Sequence, residues 1–343
     1  MLDHVRIERQ FSTANGPFPL VSLVQAVVLK ISMSMLFRLP TEKLEVENIR
    51  LIADRINRLW IESKSPTTSK SPTTSKSPTT SKSPTTSKSP TTSKSPTTSK
   101  SPTISKSPTT STKLQEDRRV LEKALRAILP ITESYTAKDN PLNLILPAYE
   151  TLWRVVLRGF LEVVFRGAEA GPGWRQLLVA YLANPTSATF KRTNGLTGIA
   201  VAFIVQETLR LYPPTRRIYR HVRHANNADP PKLLAADIEF LHRDPKIWGK
   251  DSRVFNPSRW KKVSKKCQET YMPFGWGLNS CPAKHDFGPR MIGLAVAALV
   301  DKFEDGWTLD AGREEDCVEV EGPLDAGRDS YVTLKLSEMR PCS

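Results

Sequence analysis

Apolar residues recur at helical spacing along most of the chain, and this pattern predicts a mainly α protein with a minor β part. In several segments they lie three or four positions apart, the period of a helix with one buried face. Helices are therefore predicted over residues 18–39, 41–62, 114–129, 141–165, 174–182, 196–211 and 282–303. Strands are predicted over residues 218–222 and 238–241, and a hairpin over residues 318–320 and 331–336.

Prolines and a capping residue define the ends of two of these helices. Asn140 precedes Pro141, and a capping side chain followed by proline at the first helical position is typical of a helix start. Pro147 lies within the same helix and predicts a kink, because proline has no backbone N–H to donate to the preceding turn. A proline pair at positions 213–214 ends a later helix.

The most apolar stretch, residues 18–39, is predicted to be an amphipathic helix that faces the core. It carries Gln25 and Lys30 near its middle, and a lysine there is costly in the hydrocarbon of a membrane. A transmembrane helix is the alternative interpretation. Neither a secretory signal nor a clear membrane anchor is recognised near the N-terminus.

A hexapeptide repeat, Lys-Ser-Pro-Thr-Thr-Ser, occupies residues 64–111 in eight copies, with Ile104 as the one internal change. It has almost no apolar side chain to bury, so folding could not offset its ordering entropy, and we expect it to be disordered. The repeat divides the chain into a helical N-terminal part (residues 1–63) and a core (residues 112–343). Its Ser-Pro steps are candidate sites for a proline-directed kinase.

Charge and cysteine content exclude several classes of protein. The formal net charge is +15, but eight lysines belong to the repeat, so the remainder carries 15 − 8 = +7. No nucleic-acid recognition motif accompanies this charge, and no nucleic-acid partner is predicted. The four cysteines are few for 343 residues and fit no zinc-ligand spacing, so we expect reduced thiols.

One of these cysteines lies in a loop suited to metal ligation. Residues 274–283 read Phe-Gly-Trp-Gly-Leu-Asn-Ser-Cys-Pro-Ala, and an apolar helix pattern follows. The glycines predict a tight loop, and Pro282 fits a first helical position, which would place Cys281 at a helix N-terminus. Backbone N–H groups there stabilise a thiolate, a soft ligand for iron. A buried, inert cysteine is the alternative.

The loop resembles the haem-binding loop of the cytochrome P-450 family of haem-thiolate monooxygenases. Phe274, Gly277, Cys281 and Ala283 match its Phe-x-x-Gly-x-x-x-Cys-x-(Gly/Ala) pattern, and Gly275 lies within it. The resemblance implies haem b with Cys281 as the axial ligand of the iron. It also implies electrons from NADPH through a reductase, a small organic substrate, and a location in the cytoplasm or at the endoplasmic reticulum membrane.

A charged pair upstream agrees with this resemblance. Glu207 and Arg210 lie three positions apart among apolar neighbours, so they share a helix face that is expected to be buried. An ordinary surface pair is the alternative. Glu-x-x-Arg is a signature of the family, and Arg259, in a Pro-x-Arg segment, completes the triad that the family uses to support its haem loop.

Three further residues receive roles from the resemblance. Arg220 is a candidate to contact a haem propionate, although a surface arginine is equally consistent with its neighbours. Glu150 and Thr151 match the acid and hydroxyl of the family's oxygen-activation motif, where they would relay protons beside a break in the helix. The glycine of that motif is absent, and a plain helix with Thr151 bonded to a carbonyl is the alternative.

The chain also departs from the family's pattern. Asn279 stands where a basic residue is usual, and neither the first sheet strands nor the Trp-x-x-x-Arg helix of the family is found. The sequence therefore predicts an incomplete cytochrome P-450 fold. The alternative function is a non-catalytic remnant whose Ser-Pro repeat is a phosphorylatable interaction segment.

Overall fold

A computed structural model describes residues 17–64, 108–129, 136–167, 170–222, 232–303, 306–319 and 321–339. Helices predominate among them, and the predicted mainly α fold with a minor β part is confirmed. The α-helices are α1 Leu20–Phe37, α2 Val46–Lys64, α3 Pro108–Ile128, α4 Leu142–Tyr149, α5 Leu152–Val164, α6 Gly171–Ala183, α7 Ser187–Lys191, α8 Val201–Leu211, α9 Ile238–Arg243, α10 Pro245–Trp248, α11 Lys265–Thr270 and α12 Phe287–Lys302. The strands are β1 Phe18–Pro19, β2 Arg217–Val222, β3 Lys232–Asp237, β4 Trp307–Ala311 and β5 Leu334–Glu338.

The described residues divide into two compact units. One comprises those within Met1–Asp54 and Ala124–Ser343, and the other those within Arg55–Lys123. In the larger unit, α12 packs against α5, α6 and α8, while α1 packs against α4 and α5. The apolar faces of these helices form the core, because burying them removes apolar surface from water. In the smaller unit, Arg55 of α2 forms an ion pair with Asp117 of α3.

Helix α1 is buried along most of its length. Eleven of its eighteen residues are buried, including Leu20, Val24 and Leu29. Partial burial lowers the pKa of Lys30, and Glu42 acts in the opposite direction. Within the part of the chain that the structure describes, α1 is the one helix long and apolar enough to cross a membrane, with a mean hydropathy of 2.0. Its packing on α4 and α5 agrees with the core-facing prediction.

The two small sheets correct two strand predictions. Strand β5 pairs antiparallel with β4 and with β1, so the partner of the C-terminal strand is residues 307–311 and not 318–320. Strands β2 and β3 pair antiparallel, with Arg217 opposite Asp237. Residues 238–241, predicted as a strand, form α9 instead, because the Asp237 side chain caps the helix by accepting from the Phe240 N–H.

The predictions for α8 and α12 were wrong at the helix start, and one predicted helix is divided in the structure. Helix α8 begins at Val201, because the Asn194 side chain accepts from the N–H groups of Leu196 and Thr197 and holds that segment in a turn. The predicted 141–165 helix is two helices that meet at residues 150–151. Helix α12 begins at Phe287, and a 3₁₀ turn, Pro282–Lys284, separates it from Cys281.

The Lys-Ser-Pro-Thr-Thr-Ser repeat lies largely outside the described residues. Its first residue, Lys64, ends α2, and its last four residues, 108–111, begin α3. Residues 65–107 are not described, so their predicted disorder stays a prediction.

Candidate functional site

Glu207 and Arg210 form a fully buried ion pair on α8. Both side chains have 0% of their surface exposed. Arg210 Nε donates to Glu207 Oε2 at 2.9 Å and Nη2 donates to Oε1 at 2.8 Å, so the pair is bidentate. The i, i+3 spacing on a helix with apolar neighbours places the two groups together inside the core. Burying two charges is costly unless further hydrogen bonds satisfy them.

Residues 256–260 supply those bonds to the Glu207 carboxylate. The backbone N–H of Asn256 donates to Oε1 at 3.0 Å, and Arg259 Nε approaches the same oxygen at 3.4 Å. The indole N–H of Trp260 donates to Oε2 at 2.9 Å. Both carboxylate oxygens therefore have partners from the chain that follows α10.

Backbone carbonyls satisfy the Arg210 guanidinium. Its Nη1 donates to the carbonyl oxygens of His242 at 2.6 Å and Ser252 at 2.5 Å. Its Nη2 donates to the Val254 carbonyl at 3.2 Å. The guanidinium also lies over the Trp248 ring, 5.2 Å from the centroid, within range of a cation–π contact. One arginine thus holds three separate backbone positions against the end of α8.

Arg259 joins the buried pair to an acidic residue of the same segment. Its Nη2 donates to Asp251 Oδ2 at 2.8 Å, and its Nη1 donates to the Trp248 carbonyl at 2.7 Å. Partial burial would raise the pKa of Asp251, but the hydrogen bonds from Arg259 and Asn256 outweigh it and hold that pKa below its usual value. The structure therefore brings Glu207, Arg210 and Arg259 into one network.

The Cys281 loop is closed by its own backbone. The N–H of Cys281 donates to the Phe274 carbonyl at 2.8 Å, and the N–H of Gly275 donates to the Met272 carbonyl at 3.1 Å. Gly275 (φ 81°) and Gly277 (φ 69°) occupy the left-handed region, which glycine adopts without steric cost. The prediction of a glycine-rich tight loop before Cys281 is thus met by the geometry.

Cys281 does not lie at the N-terminus of a long helix, as the sequence had suggested. It precedes the 3₁₀ turn Pro282–Lys284, and the N–H of Lys284 donates to its carbonyl at 3.2 Å. Pro282 has no N–H, and its ring starts a tight turn rather than α12. The Cys281 side chain is exposed, which rules out a buried inert cysteine.

The loop is anchored on the first turn of α12. A Cβ atom added to Gly288 would lie 3.1 Å from the Phe274 ring and 3.0 Å from the Ala283 carbonyl, so a larger residue there would require the loop to shift by a few tenths of an ångström. Phe274 and Ala283 are half-buried there. Gly277 faces open space, with nothing within 4 Å of an added Cβ atom.

Arg220 lies beside the same loop. Its Nη2 donates to the Trp276 carbonyl at 3.1 Å, while its guanidinium remains exposed on β2. A cation is therefore held next to the loop with donors available to a further acceptor. The side chain of Asn279, which departs from the family's pattern, lies outside the described part of the structure.

Glu150 and Thr151 occupy the junction between α4 and α5. Glu150 is buried and forms a bidentate ion pair with Arg328, at 2.5 Å and 3.0 Å. The Thr151 hydroxyl donates to the Pro147 carbonyl at 3.1 Å, the back-bonded arrangement that the sequence left open. The helix break is present where the acid and hydroxyl lie, and both groups have protein partners in this conformation.

Sequence reasoning missed four residues that complete this site. Trp260, Asp251 and Asn256 support the triad, and His242 bridges α8 to the Cys281 loop. The sequence feature that could have indicated them is the charged pair among apolar neighbours, because an ion pair inside the core requires more hydrogen-bond partners than Arg259 alone.

The residues around Cys281 fit a haem group. The thiol is exposed, and two apolar side chains of the same loop are exposed as well, with Trp276 58% exposed and Leu278 fully exposed, so a flat apolar ligand could cover them. Arg220 supplies a cation for a carboxylate at one edge. Haem with its propionates requires a thiolate for the iron, an apolar surface for the ring and a cation for a carboxylate. No group of three or more His, Cys, Asp or Glu residues that could hold a metal ion occurs within the described ranges.

Comparisons with known proteins agree with this geometry. A family model for cytochrome P450 matches residues 201–316, which contain the triad, Arg220 and Cys281. Cytochrome P450 714A2 of Arabidopsis thaliana is 37% identical over 111 residues, which cover 30% of this chain and 21% of that protein. Cytochrome P450 CYP72A616 of Paris polyphylla is 45% identical, and 11-oxo-beta-amyrin 30-oxidase of Glycyrrhiza uralensis is 38% identical, each over 111 residues with the same coverage.

Solved structures give the same result for the fold. CYP175A1 from Thermus thermophillus superposes with a TM-score of 0.54 at 15% identity, covering 99% of this chain and 71% of that one. The haem domain of a cytochrome P450DA mutant gives a TM-score of 0.55 at 13% identity, with 99% and 72% coverage. Residues 201–316 of this chain are similar to the cytochrome P450 family, and the matching part spans about a fifth of the length of the curated relatives. Members of this family are haem-thiolate monooxygenases that receive electrons from NADPH through a reductase.

Proposed function

We propose that this chain binds haem b through the Cys281 thiolate and inserts one oxygen atom from dioxygen into a hydrophobic organic substrate. The substrate would be of secondary-metabolite or lipid-like chemistry, and the electrons would come from NADPH through a reductase. The observation that carries the proposal is the exposed Cys281 thiol, presented by a loop that closes through the Cys281 N–H and the Phe274 carbonyl.

Each residue of the site has a chemical task in this proposal. When bound, haem supplies the activation of dioxygen. Cys281 holds the iron through its sulfur, and Arg220 neutralises a propionate while it donates to the Trp276 carbonyl. Glu207, Arg210 and Arg259 keep the chain around residues 242–260 fixed, and His242 of that chain accepts from the Met272 N–H ahead of the loop.

Glu150 and Thr151, which match the family's oxygen-activation motif, would hold and transfer a proton. The carboxylate can accept a proton and the hydroxyl can pass one on, provided that Glu150 is released from Arg328 and Thr151 from the Pro147 carbonyl. The family match over residues 201–316 does not include this pair, so its role rests on the motif and on its position at the helix break.

The kind of substrate is inferred from the relatives. One similar protein is named as an oxidase of 11-oxo-beta-amyrin and another as a dimethylnonatriene synthase, and both names refer to apolar carbon skeletons. We propose a substrate of comparable polarity for this chain. For the location we propose the cytoplasm or the surface of the endoplasmic reticulum, as the resemblance to the family implies.

A non-catalytic remnant is the second candidate function. It is favoured by the protein partners that engage both Glu150 and Thr151. In that case the Ser-Pro repeat would act as an interaction segment switched by phosphorylation, since each phosphate adds a charge of about −1.5 to −2.

The carbon-monoxide difference spectrum of the reduced, haem-reconstituted full chain separates the two candidates. Thiolate-ligated haem gives a red-shifted Soret band, and we expect that band with about one haem per chain in a pyridine haemochrome assay. A protein that folds but takes up no haem would support the remnant. Bound haem without the red-shifted band would overturn the assignment of Cys281 as the ligand.

A further inference from the structure

His242 and Arg210 hold each other by side-chain bonds to backbone. Arg210 Nη1 donates to the His242 carbonyl at 2.6 Å, and the Nδ1 atom of His242 lies 3.1 Å from the Arg210 carbonyl. Each residue therefore binds the main chain of the other. This closed link joins the last turn of α8 to the last turn of α9.

The other ring nitrogen of His242 reaches the segment that leads into the Cys281 loop. Its Nε2 atom accepts from the backbone N–H of Met272 at 3.0 Å. The Met272 carbonyl in turn accepts from Gly275, and the Phe274 carbonyl accepts from Cys281. A continuous run of hydrogen bonds thus extends from Arg210 through His242 to the backbone of Cys281.

These two bonds determine the tautomer of the ring. A carbonyl oxygen can only accept, so Nδ1 must carry a hydrogen, and a backbone N–H can only donate, so Nε2 must not. Only the neutral ring protonated at Nδ1 satisfies both partners. In a protonated imidazolium ring, Nε2 would also carry a hydrogen, and this hydrogen would point at the Met272 N–H. The hydrogen bond from Met272 to the ring would then be lost.

The surroundings of the ring favour the neutral form. His242 is fully buried, and the Tyr271 ring stacks on it at 5.5 Å between centroids. The charged groups around it are Arg210 with its partner Glu207 on α8, and Arg243 with its partner Glu239 on α9. Burial is the largest cause of the low pKa of His242, which is about 3, and the charges of the two arginines lower it further. Hydrogen bonds to the backbone act in the opposite direction.

We propose that His242 is a positioning residue for the iron-ligating loop, linking the end of α8 to Met272 through a neutral, Nδ1-protonated ring. The proposal deepens the function proposed above and rests on it for the role of Cys281. The link itself is a property of the protein and can be measured without haem.

Two substitutions separate the two bonds of the ring. Asn can place an amide N–H near the position of Nδ1, so His242→Asn can keep the bond to the Arg210 carbonyl and loses the bond to Met272. Gln reaches further and can place an oxygen near Nε2, so His242→Gln can keep the bond to Met272 and loses the bond to Arg210. His221→Gln on the exposed face of β2 is the matched control.

The first measurement is hydrogen exchange in the haem-free full chain. We expect the amides of Met272 and Cys281 to be protected in the parent, in His221→Gln and in His242→Gln, and to exchange about tenfold faster in His242→Asn, as the loss of one buried hydrogen bond predicts. The ¹⁵N shifts of His242 should report the neutral Nδ1–H tautomer. Free exchange of Met272 in the parent, or the opposite tautomer, would overturn the proposal.

The second measurement follows the haem-loaded protein. The fraction of haem with the red-shifted Soret band should be lower in His242→Asn than in His242→Gln, even where urea unfolding shows the two variants to be equally stable. If the fraction of haem with the red-shifted band falls only in proportion to the unfolding free energy, and equally in both variants, His242 has a structural role and no positioning role. If the parent shows no thiolate-ligated haem, the proposed function fails, and the exchange measurement still decides the role of His242.

Discussion

Glu150 and Arg328 lie 178 residues apart in the sequence and form a bidentate ion pair, with Arg328 Nη2 donating to Glu150 Oε1 at 3.0 Å. The pair joins the α4–α5 junction to residues 322–328, here called the C-terminal strap. Arg158 on α5 holds the strap as well, donating to the carbonyls of Asp325 at 2.8 Å and Gly327 at 2.7 Å. The Leu324 N–H donates to the Tyr212 hydroxyl at 3.0 Å. The C-terminal strap therefore holds the Glu150 carboxylate in position at the break between α4 and α5.

Loss of Arg328 should destabilise the fold. Arg328→Met leaves the Glu150 carboxylate buried without its cation, and breaking a buried pair in this way costs about 3 kcal/mol of unfolding free energy. Urea unfolding measures the loss. Lys265→Met, which breaks the exposed pair with Glu269, should cost less than about 0.5 kcal/mol.

The double variant provides the decisive comparison. Glu150→Gln combined with Arg328→Met removes the unpaired charge, so it should recover most of the lost stability. A double variant no more stable than Arg328→Met alone would show that Arg328 stabilises the protein by contacts other than this pair.

Trp260 is expected to stabilise the fold through one hydrogen bond to the buried Glu207. Trp260→Phe keeps an aromatic ring but removes the indole N–H that donates to Oε2 at 2.9 Å. A bond to a charged group contributes about 1.5–3 kcal/mol, so the urea midpoint should fall accordingly. Trp276→Phe, at an exposed position of the Cys281 loop, should change the unfolding free energy by less than about 0.5 kcal/mol. Equal losses in the two variants would contradict the role of the indole N–H.

The Thr151 hydroxyl should affect the coupling of turnover and leave haem content unchanged. If it relays a proton, Thr151→Ala should release more hydrogen peroxide per NADPH consumed, measured with a reductase and a turned-over substrate. Thr151→Ser keeps the hydroxyl and serves as the control. Equal peroxide yields in the parent and in Thr151→Ala would leave Thr151 with the structural role shown by its bond to Pro147.

The buried neutral state of His242 should make stability depend on pH. Its pKa is about 3 in the folded chain against an ordinary value of 6.5, so the unfolded chain takes up the proton first. This contribution is fully present above pH 6.5 and is lost as pH falls towards 3, by about 2 kcal/mol between pH 6.5 and pH 5. His242→Gln should remove that slope and His221→Gln should keep it. Parallel stability curves for the parent and His242→Gln would refute this assignment.

Local patterns in the sequence were enough for several of the helices and for the buried pair. The apolar spacing predicted α2 and α3, because a helix that packs on a core shows its buried face in the sequence. The apolar neighbours of Glu207 and Arg210 predicted that the two charges would be buried together. These features depend on residues a few positions apart.

Features that depend on distant residues were missed. Nothing near Glu150 in the sequence indicates that its partner is Arg328, and nothing near residues 331–336 indicates that β4 is the pairing strand. The helix starts at Val201 and Phe287 were placed too early, because side-chain caps and short 3₁₀ turns compete with the periodic apolar pattern. The link from His242 to Met272 likewise appears only once the two segments are folded together.

The identity of the iron ligand is the central claim, and replacing Cys281 tests it most directly. The reduced, carbon-monoxide difference spectrum should be recorded for the parent, for Cys281→Ser and for Cys317→Ser, an exposed cysteine outside the loop that serves as the matched control. We predict the red-shifted Soret band of thiolate-ligated haem in the parent and in Cys317→Ser, and its complete loss in Cys281→Ser. A red-shifted band that survives in Cys281→Ser, or that is lost in Cys317→Ser, would contradict the account.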